Sequence, residues 1–208
     1  MGALGEQRRD GGEPAAISFR PATAERWRDV EALFGDKGAC GGCWCMTWRR
    51  TPAEFTANKG AGNRKALRVL VESATPPGLL AYAGDEPVGW CALAPREEYP
   101  RLARSRVLAP VDDQPVWSVT CFFVTRAHRR TGLSRRLLAA AVEQARTLGA
   151  RIVEGYPSEP YSERMPDAFA WTGMASTFRA VGFVEAARRS KARPVMRLVL
   201  DGKRRRAR

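Results

Sequence analysis

The sequence has a single histidine, His128, among 208 residues, and no apolar run long enough to cross a bilayer. The second absence excludes a membrane-spanning helix. No hydrophobic segment follows the adjacent Arg8 and Arg9, so no secretion signal is present either, and a cytoplasmic protein is expected with residues 1–16 as a disordered leader. The five cysteines, an odd number without an export signal, point to free thiols rather than a disulfide framework. Cys40, Cys43 and Cys45 offer three thiolates where structural zinc wants four ligands, and His128 lies far along the chain, so no metal is expected. The cysteines read instead as small fillers. There is no internal repeat, no Gly-Lys-Ser/Thr phosphate loop and no Gly-x-Gly-x-x-Gly fingerprint.

Acidic residues are also scarce: 22 Asp and Glu against 35 Lys and Arg leave a net charge of +13. Five basic residues and one acidic residue give the tail, 201–208, +4. Two basic and three acidic residues give the first sixteen −1, so residues 17–200 carry +10. The basicity belongs to the fold and favours an anionic partner, whether a phosphorylated cofactor or a nucleic acid. The tail itself reads as a solvated basic segment. A length of 208 residues, 44% hydrophobic, suits one globular domain over 17–200.

Apolar spacing predicts a helix after Thr23 through Trp27, Val30, Leu33 and Phe34, and a second one capped by Asn63. Between them, 35–62 reads as a long connection with room for a short helix after Pro52. A hairpin follows over 79–83 and 88–94, turned by Gly84-Asp85-Glu86-Pro87. Residues 95–115 form a second polar connection. Val116 to Val124 is a strand, and Leu133, Leu137, Leu138, Ala141, Val142, Ala145 and Leu148 make one face of a helix. Arg151 to Tyr156, a short helix near Gly173 to Val181, and strands over 183–188 and 195–200 complete the order. A strand-helix-strand passage within an otherwise antiparallel set predicts an α/β fold, a mixed and mostly antiparallel central sheet flanked by helices.

The arginines concentrate at one junction. His128-Arg129-Arg130-Thr131-Gly132-Leu133-Ser134-Arg135-Arg136 lies between the strand ending at Val124 and the next helix. Backbone N–H groups at a helix N-terminus, beside a glycine, make an anion site. Arg129-x-x-Gly132-x-Ser134 after a Val-ending strand resembles the pyrophosphate motif of the GNAT acetyltransferase superfamily. Phe178 to Phe183 resembles that superfamily's late helix-Gly-Phe signature, and the element order from Ile17 to Leu200 is similar throughout.

The resemblance implies an acyl-CoA N-acyltransferase that uses acetyl-CoA, with Phe122, Phe123 and Val124 along the pantetheine. Arg129, Arg130, Thr131, Gly132, Leu133, Ser134 and Arg135 would take the pyrophosphate, Arg136 would face water and His128 would be a turn residue. It also implies direct attack by an acceptor amine where the strand ending at Val124 splays from Arg151 to Tyr156. The usual general-acid tyrosine is replaced by Phe178, which has no proton to give. Glu154, Tyr156 and Cys121 are therefore the candidate catalytic groups. Glu154 is read as a base raised by an apolar strand environment, the alternative being a solvent-facing strand edge. Trp44 and Trp48 as a lid, with Thr120, Tyr161 and Trp171, are expected to line the acceptor site.

The expected partner is a small-molecule amine, with a homodimer left open and no membrane. The +10 body also suits an aminoacyl-tRNA as the acyl donor on the same fold. A nucleic-acid-binding module without catalysis has no recognisable motif in its favour.

Overall fold

A computed structural model describes residues 15–159 and 171–200. Residues 1–14 of the leader, the basic tail and Tyr161 lie outside the described residues. Seven strands form one sheet in the order β1-β2-β3-β4-β5-β7-β6. They are β1 (Ile17–Pro21), β2 (Gly78–Ala83), β3 (Glu86–Pro95), β4 (Trp117–Val124), β5 (Ile152–Gly155), β6 (Val184–Arg188) and β7 (Pro194–Val199). The helices are α1 (Trp27–Phe34), α2 (Pro52–Ala57), α3 (Ala61–Val71), α4 (Pro100–Ala103), α5 (Leu133–Thr147) and α6 (Ala175–Arg179).

Only β4 and β5 run parallel, because α5 crosses between them, and every other pairing is antiparallel. This is the expected mixed sheet. The α2 helix after Pro52 forms as expected, closed by a reciprocal Thr51–Glu54 capping box.

Four local expectations change. Residues 17–21 form an edge strand that the short, polar-interrupted stretch did not reveal, and 100–103 add one turn of helix inside the second connection. Thr23 opens a 3₁₀ turn ahead of α1 and makes no capping bond. Asn63 lies inside α3 and does not cap it: its side chain is buried, Nδ2 donating to the Gly42 carbonyl at 3.1 Å while Oδ1 accepts from Arg50 at 2.9 Å. Gly60, at φ +80°, takes the capping position instead, and Asn63 ties α3 to the long loop before it.

One face of the sheet carries α5 and α6 over Leu93, Val119, Phe122, Val153 and Met196. On the other face α1, α3 and residues 39–46 cover β2 to β4, while residues 96–111 cover the end near β5 and β7. Both faces are therefore closed by apolar packing.

Candidate active site

Two irregularities in β4 create the site. The β3–β4 register slips between Ala92 opposite Cys121 and Leu93 opposite Val119, leaving Thr120 as the extra residue of a bulge. The β4–β5 pairing runs only through Trp117–Val153, Ser118–Glu154 and Val119–Gly155. Beyond the bulge, β4 carries on to Val124 while β5 ends at Gly155, so the two strands part and the β4 edge toward β5 is left without a strand partner among the described residues. An unpaired edge offers backbone donors and acceptors to an extended ligand.

The same strand leads into the arginine turn. Arg130 (φ +63°) and Gly132 (φ +80°) both adopt the left-handed conformation, bracketing Thr131 and bending the chain into the start of α5. Successive N–H groups in such a bend form a concave anion site. The first turn of α5 contains no acidic residue, so nothing opposes an anion at the positive end of that helix. The turn is braced from within: Thr131 Oγ1 donates to the His128 carbonyl at 2.8 Å, Arg129 Nε donates to the Val124 carbonyl at 3.2 Å, and the Thr125 hydroxyl meets His128 Nδ1 at 3.0 Å. His128 is thus a turn residue, as its position suggested. Arg136 is exposed, with its guanidinium over the Phe19 ring at 5.7 Å. A Cβ on Gly132 would meet nothing within 4 Å, so the glycine there answers to backbone conformation and to space for a ligand.

Below the parting strands lies a buried polar network that the sequence reading did not contain. Glu154 has no exposed surface. Its Oε1 accepts from Arg197 Nε at 2.6 Å, and its Oε2 accepts from Arg96 Nη1 at 3.2 Å and from the Tyr156 hydroxyl at 2.9 Å. Arg96 also donates to the Tyr156 oxygen at 2.6 Å and to the Leu108 carbonyl at 2.6 Å. Arg197 forms a two-point pair with Asp112 at 2.6 and 2.8 Å, and Ser118 meets the Tyr156 hydroxyl at 2.8 Å. The expected surroundings of Glu154 are corrected here: the site is neither an apolar pocket nor a solvent edge, because two guanidinium groups reach its carboxylate from β7 and from the end of β3. Burial first, and then the neighbouring Glu154 carboxylate, push the Tyr156 hydroxyl above its ordinary value of 10.0, so the proton stays on the phenol. Of the missed residues, Arg197 had a visible signal: an arginine at an inward position of the apolar run Pro194 to Leu200. Arg96 and Asp112 sit in the second connection, where no periodicity marks them.

The remaining candidates divide between the two faces. Phe122 meets Phe178 edge-on at 6.1 Å over α6, and Phe123 meets Phe34 at 5.9 Å on the other side. Both rings are spent in packing, so these positions offer a ligand their backbone. Phe178 fills the space beside Gly155 and Gly173, where a Cβ on either glycine would collide with its ring, and it stands edge-on to Phe183 at 5.0 Å. Thr120 is buried at the bulge. Trp48 and Trp171 lie together, centroids 5.8 Å apart, forming an aromatic wall at the border of the undescribed segment. Trp44 is not a lid residue: it is buried against Trp27 (6.2 Å) and Phe34 (5.6 Å) beneath α1. Cys121 packs against the buried cluster that holds Cys45, and Arg49 stacks over Tyr99 at 4.6 Å. Among the described residues no group of three or more His, Cys, Asp or Glu side chains is gathered as for a metal, and no helix is long and apolar enough to cross a membrane.

A family model described as the acetyltransferase (GNAT) family matches residues 44–165, more than half the chain. No curated protein matches. Among solved structures, the chain is similar to the aminoglycoside N-acetyltransferase AAC(6')-Iy in complex with CoA, at 16% identity over 93% of this chain and 98% of that one, with a TM-score of 0.53. It is also similar to a mutant agmatine N-acetyltransferase in its apo form (13% identity, 88% and 99% covered, TM-score 0.51). A third likeness is to the PaiA N-acetyltransferase of Thermoplasma acidophilum in complex with coenzyme A (12% identity, 89% and 99% covered, TM-score 0.50). At these identities the structural likeness is one of fold.

Proposed function

Because the chain belongs to the GNAT acetyltransferase family, we propose that it is an N-acetyltransferase moving the acetyl group of acetyl-CoA to a primary amine of a small molecule, by direct attack within a ternary complex. One observation carries this reading: the open edge of β4 past Thr120 runs straight into the left-handed Arg130–Gly132 turn at the α5 N-terminus. An extended pantetheine arm next to a pyrophosphate needs that sequence of features, an unpaired strand edge and then an anion cradle. The coenzyme A in two of the solved neighbours supports the same ligand class.

Acetyl-CoA, when bound, supplies an acetyl group activated as a thioester. The N–H groups of residues 129–135 would hold its pyrophosphate, with Arg129, Arg130 and Arg135 adding charge, and the β4 backbone over 122–124 would align its arm. Alignment of this kind lowers the barrier by fixing the reacting atoms before reaction. Tyr156, one residue past the point where β5 ends, is the proposed acid for the departing thiolate. Its proton is retained at neutral pH and is donated to Glu154 Oε2, with Arg96 and Ser118 holding the hydroxyl from two other sides, so delivery to the thiolate requires the hydroxyl to turn away from Glu154.

Glu154 acts as a positioning residue, since both of its oxygens are already engaged. Cys121 is assigned no proton-transfer role, because its thiol is turned to the Phe122 carbonyl at 3.9 Å. Trp48, Trp171 and Thr120 are the proposed acceptor wall. The net charge of +13 favours a second reading in which aminoacyl-tRNA is the acyl donor.

The deciding experiment is mass-spectrometric detection of acetylated product from acetyl-CoA across a panel of primary amines, run beside charged tRNA as donor. Acetylated amine formed only with active protein supports the first reading. Transfer from tRNA alone would replace it with the second.

A further inference from the structure

Arg96, Arg193 and Arg197 all reach the end of β5, and only two of them meet an acid there. Arg197 pairs with Glu154 and Asp112, and Arg96 pairs with Glu154. Arg193 lies in the turn that enters β7, and its Nη2 donates to the Tyr156 carbonyl at 3.1 Å. Side chains alternate along a strand, so Arg193 continues the side of β7 that carries Val195 and Arg197. Val195 and Tyr156 belong to one buried cluster, against which Trp48 packs.

No acid answers Arg193. Among the described residues no carboxylate pairs with it, and its Nε is buried without a hydrogen-bond partner. Glu159 comes near, its N–H donating to the Ala192 carbonyl at 2.8 Å, but its carboxylate is taken by Arg179 and Arg188. Burial draws the Arg193 guanidinium below its ordinary value, whereas the bond to Asp112 chiefly raises that of Arg197. A guanidinium does not escape burial by losing its proton, so Arg193 stays a cation. Such a charge, taken partly out of water, is compensated by an anion. The side chain keeps part of its surface open, so a ligand can reach it.

We propose that Arg193 is a specificity-determining residue of the acceptor site, and that the acceptor is an amine that also bears a carboxylate, which the guanidinium receives. The inference rests on the acetyl-transfer reading and adds which amines are preferred. A carboxylate at Arg193 holds its molecule beside Tyr156, with the Trp48–Trp171 wall available to an apolar remainder.

The test is calorimetric titration of the full chain, with and without coenzyme A, using matched probes: phenylalanine against phenethylamine, tyrosine against tyramine, and tryptophan against tryptamine. The rings suit the aromatic wall, and the members of each pair differ only in the carboxylate. The carboxylated member is expected to bind about tenfold more tightly or better, the worth of a charge-assisted pair, and Arg193→Gln is expected to cut that preference to about twofold. Arg193→Lys should keep part of it, and a thermal melt of each variant checks the fold. Equal binding within every pair, tighter binding of the plain amines, or no binding of any probe would overturn the proposal, and all are read on the unsubstituted protein. Thiol release from acetyl-CoA is followed beside binding. Its absence with every amine would remove the acetyl-transfer reading, while the binding preference decides the role of Arg193 by itself.

Discussion

The Tyr156 hydroxyl donates to Glu154 Oε2 across 2.9 Å, joining the last inward side chain of β5 to the first residue beyond it. Two residues apart, they share a face, and Arg96 touches both. The hydroxyl is thereby held between Glu154, Arg96 and Ser118, beside the last paired residues of β4 and β5. Replacing it tests whether it serves catalysis.

Tyr156→Phe is expected to lower kcat by about 10²-fold or more, the range associated with a positioned proton donor. Acetyl-CoA affinity should stay within about twofold, since no cofactor contact is removed. Stability should fall by only about 1 kcal/mol, the net worth of the lost hydrogen bonds. Steady-state kinetics beside calorimetric binding would show the split, and an unchanged kcat would remove Tyr156 from the mechanism.

Glu154→Leu should be costly to the fold itself. It leaves Arg96 and Arg197 largely buried without their shared carboxylate, a loss of about 3–5 kcal/mol. Denaturant unfolding would show the midpoint collapse, whereas Glu154→Gln, which keeps one acceptor oxygen for these donors and loses the other, should retain part of the stability. A Leu variant as stable as the parent would mean that the network is not what holds β5 to β7.

Stability should also fall in acid through a specific pair. Two bonds from Arg197 hold the Asp112 carboxyl down from 3.8 to about 2, with the Gln114 N–H contributing. A carboxyl depressed by folding stabilises the native state above its unfolded value and loses that contribution as pH drops through the folded one. The window is therefore from about pH 4 down to about pH 2. Thermal melts across it should show a shallower slope for Asp112→Asn than for the parent.

Arg130→Gly separates strain from function. Glycine relieves the left-handed arginine, worth about 1–2 kcal/mol, at a cost of about 0.5–1 kcal/mol in chain entropy. The variant should melt slightly higher yet bind acetyl-CoA more weakly, having lost a charge at the anion cradle. A drop in both quantities would indicate that the arginine braces the turn.

The fold was legible where periodicity is strong. The α5 helix displays its apolar face over four turns, β4 is dense in β-branched and aromatic residues, and Gly84 to Pro87 announces the β2–β3 hairpin. The bend into α5 was legible for a similar reason, since a glycine at a strand-to-helix junction marks a left-handed turn. The surroundings of Glu154 were not. Glu154 sits in an apolar strand, and only tertiary contacts bring Arg96, Asp112 and Arg197 to it from three separate segments. Trp44 misled in the opposite direction: a tryptophan in a Gly- and Cys-rich loop reads as a pocket wall, but left-handed backbone turns it into the core. Asn63 likewise reads as a cap by residue type, whereas its side chain is committed to Gly42.

The central claim is that acetyl-CoA is held by the open β4 edge and the Arg130–Gly132 turn. Calorimetric titration of acetyl-CoA into the parent protein and into Gly132→Asp tests it most directly. The aspartate would place a carboxylate at the α5 N-terminus where the pyrophosphate is expected; its Cβ meets no protein atom within 4 Å, and Gly132→Asn, equally strained at φ +80° but uncharged, is the control. The account predicts saturable micromolar binding to one site in the parent and its loss in a variant that still folds. Equal binding to both proteins, or none to the parent, would contradict it.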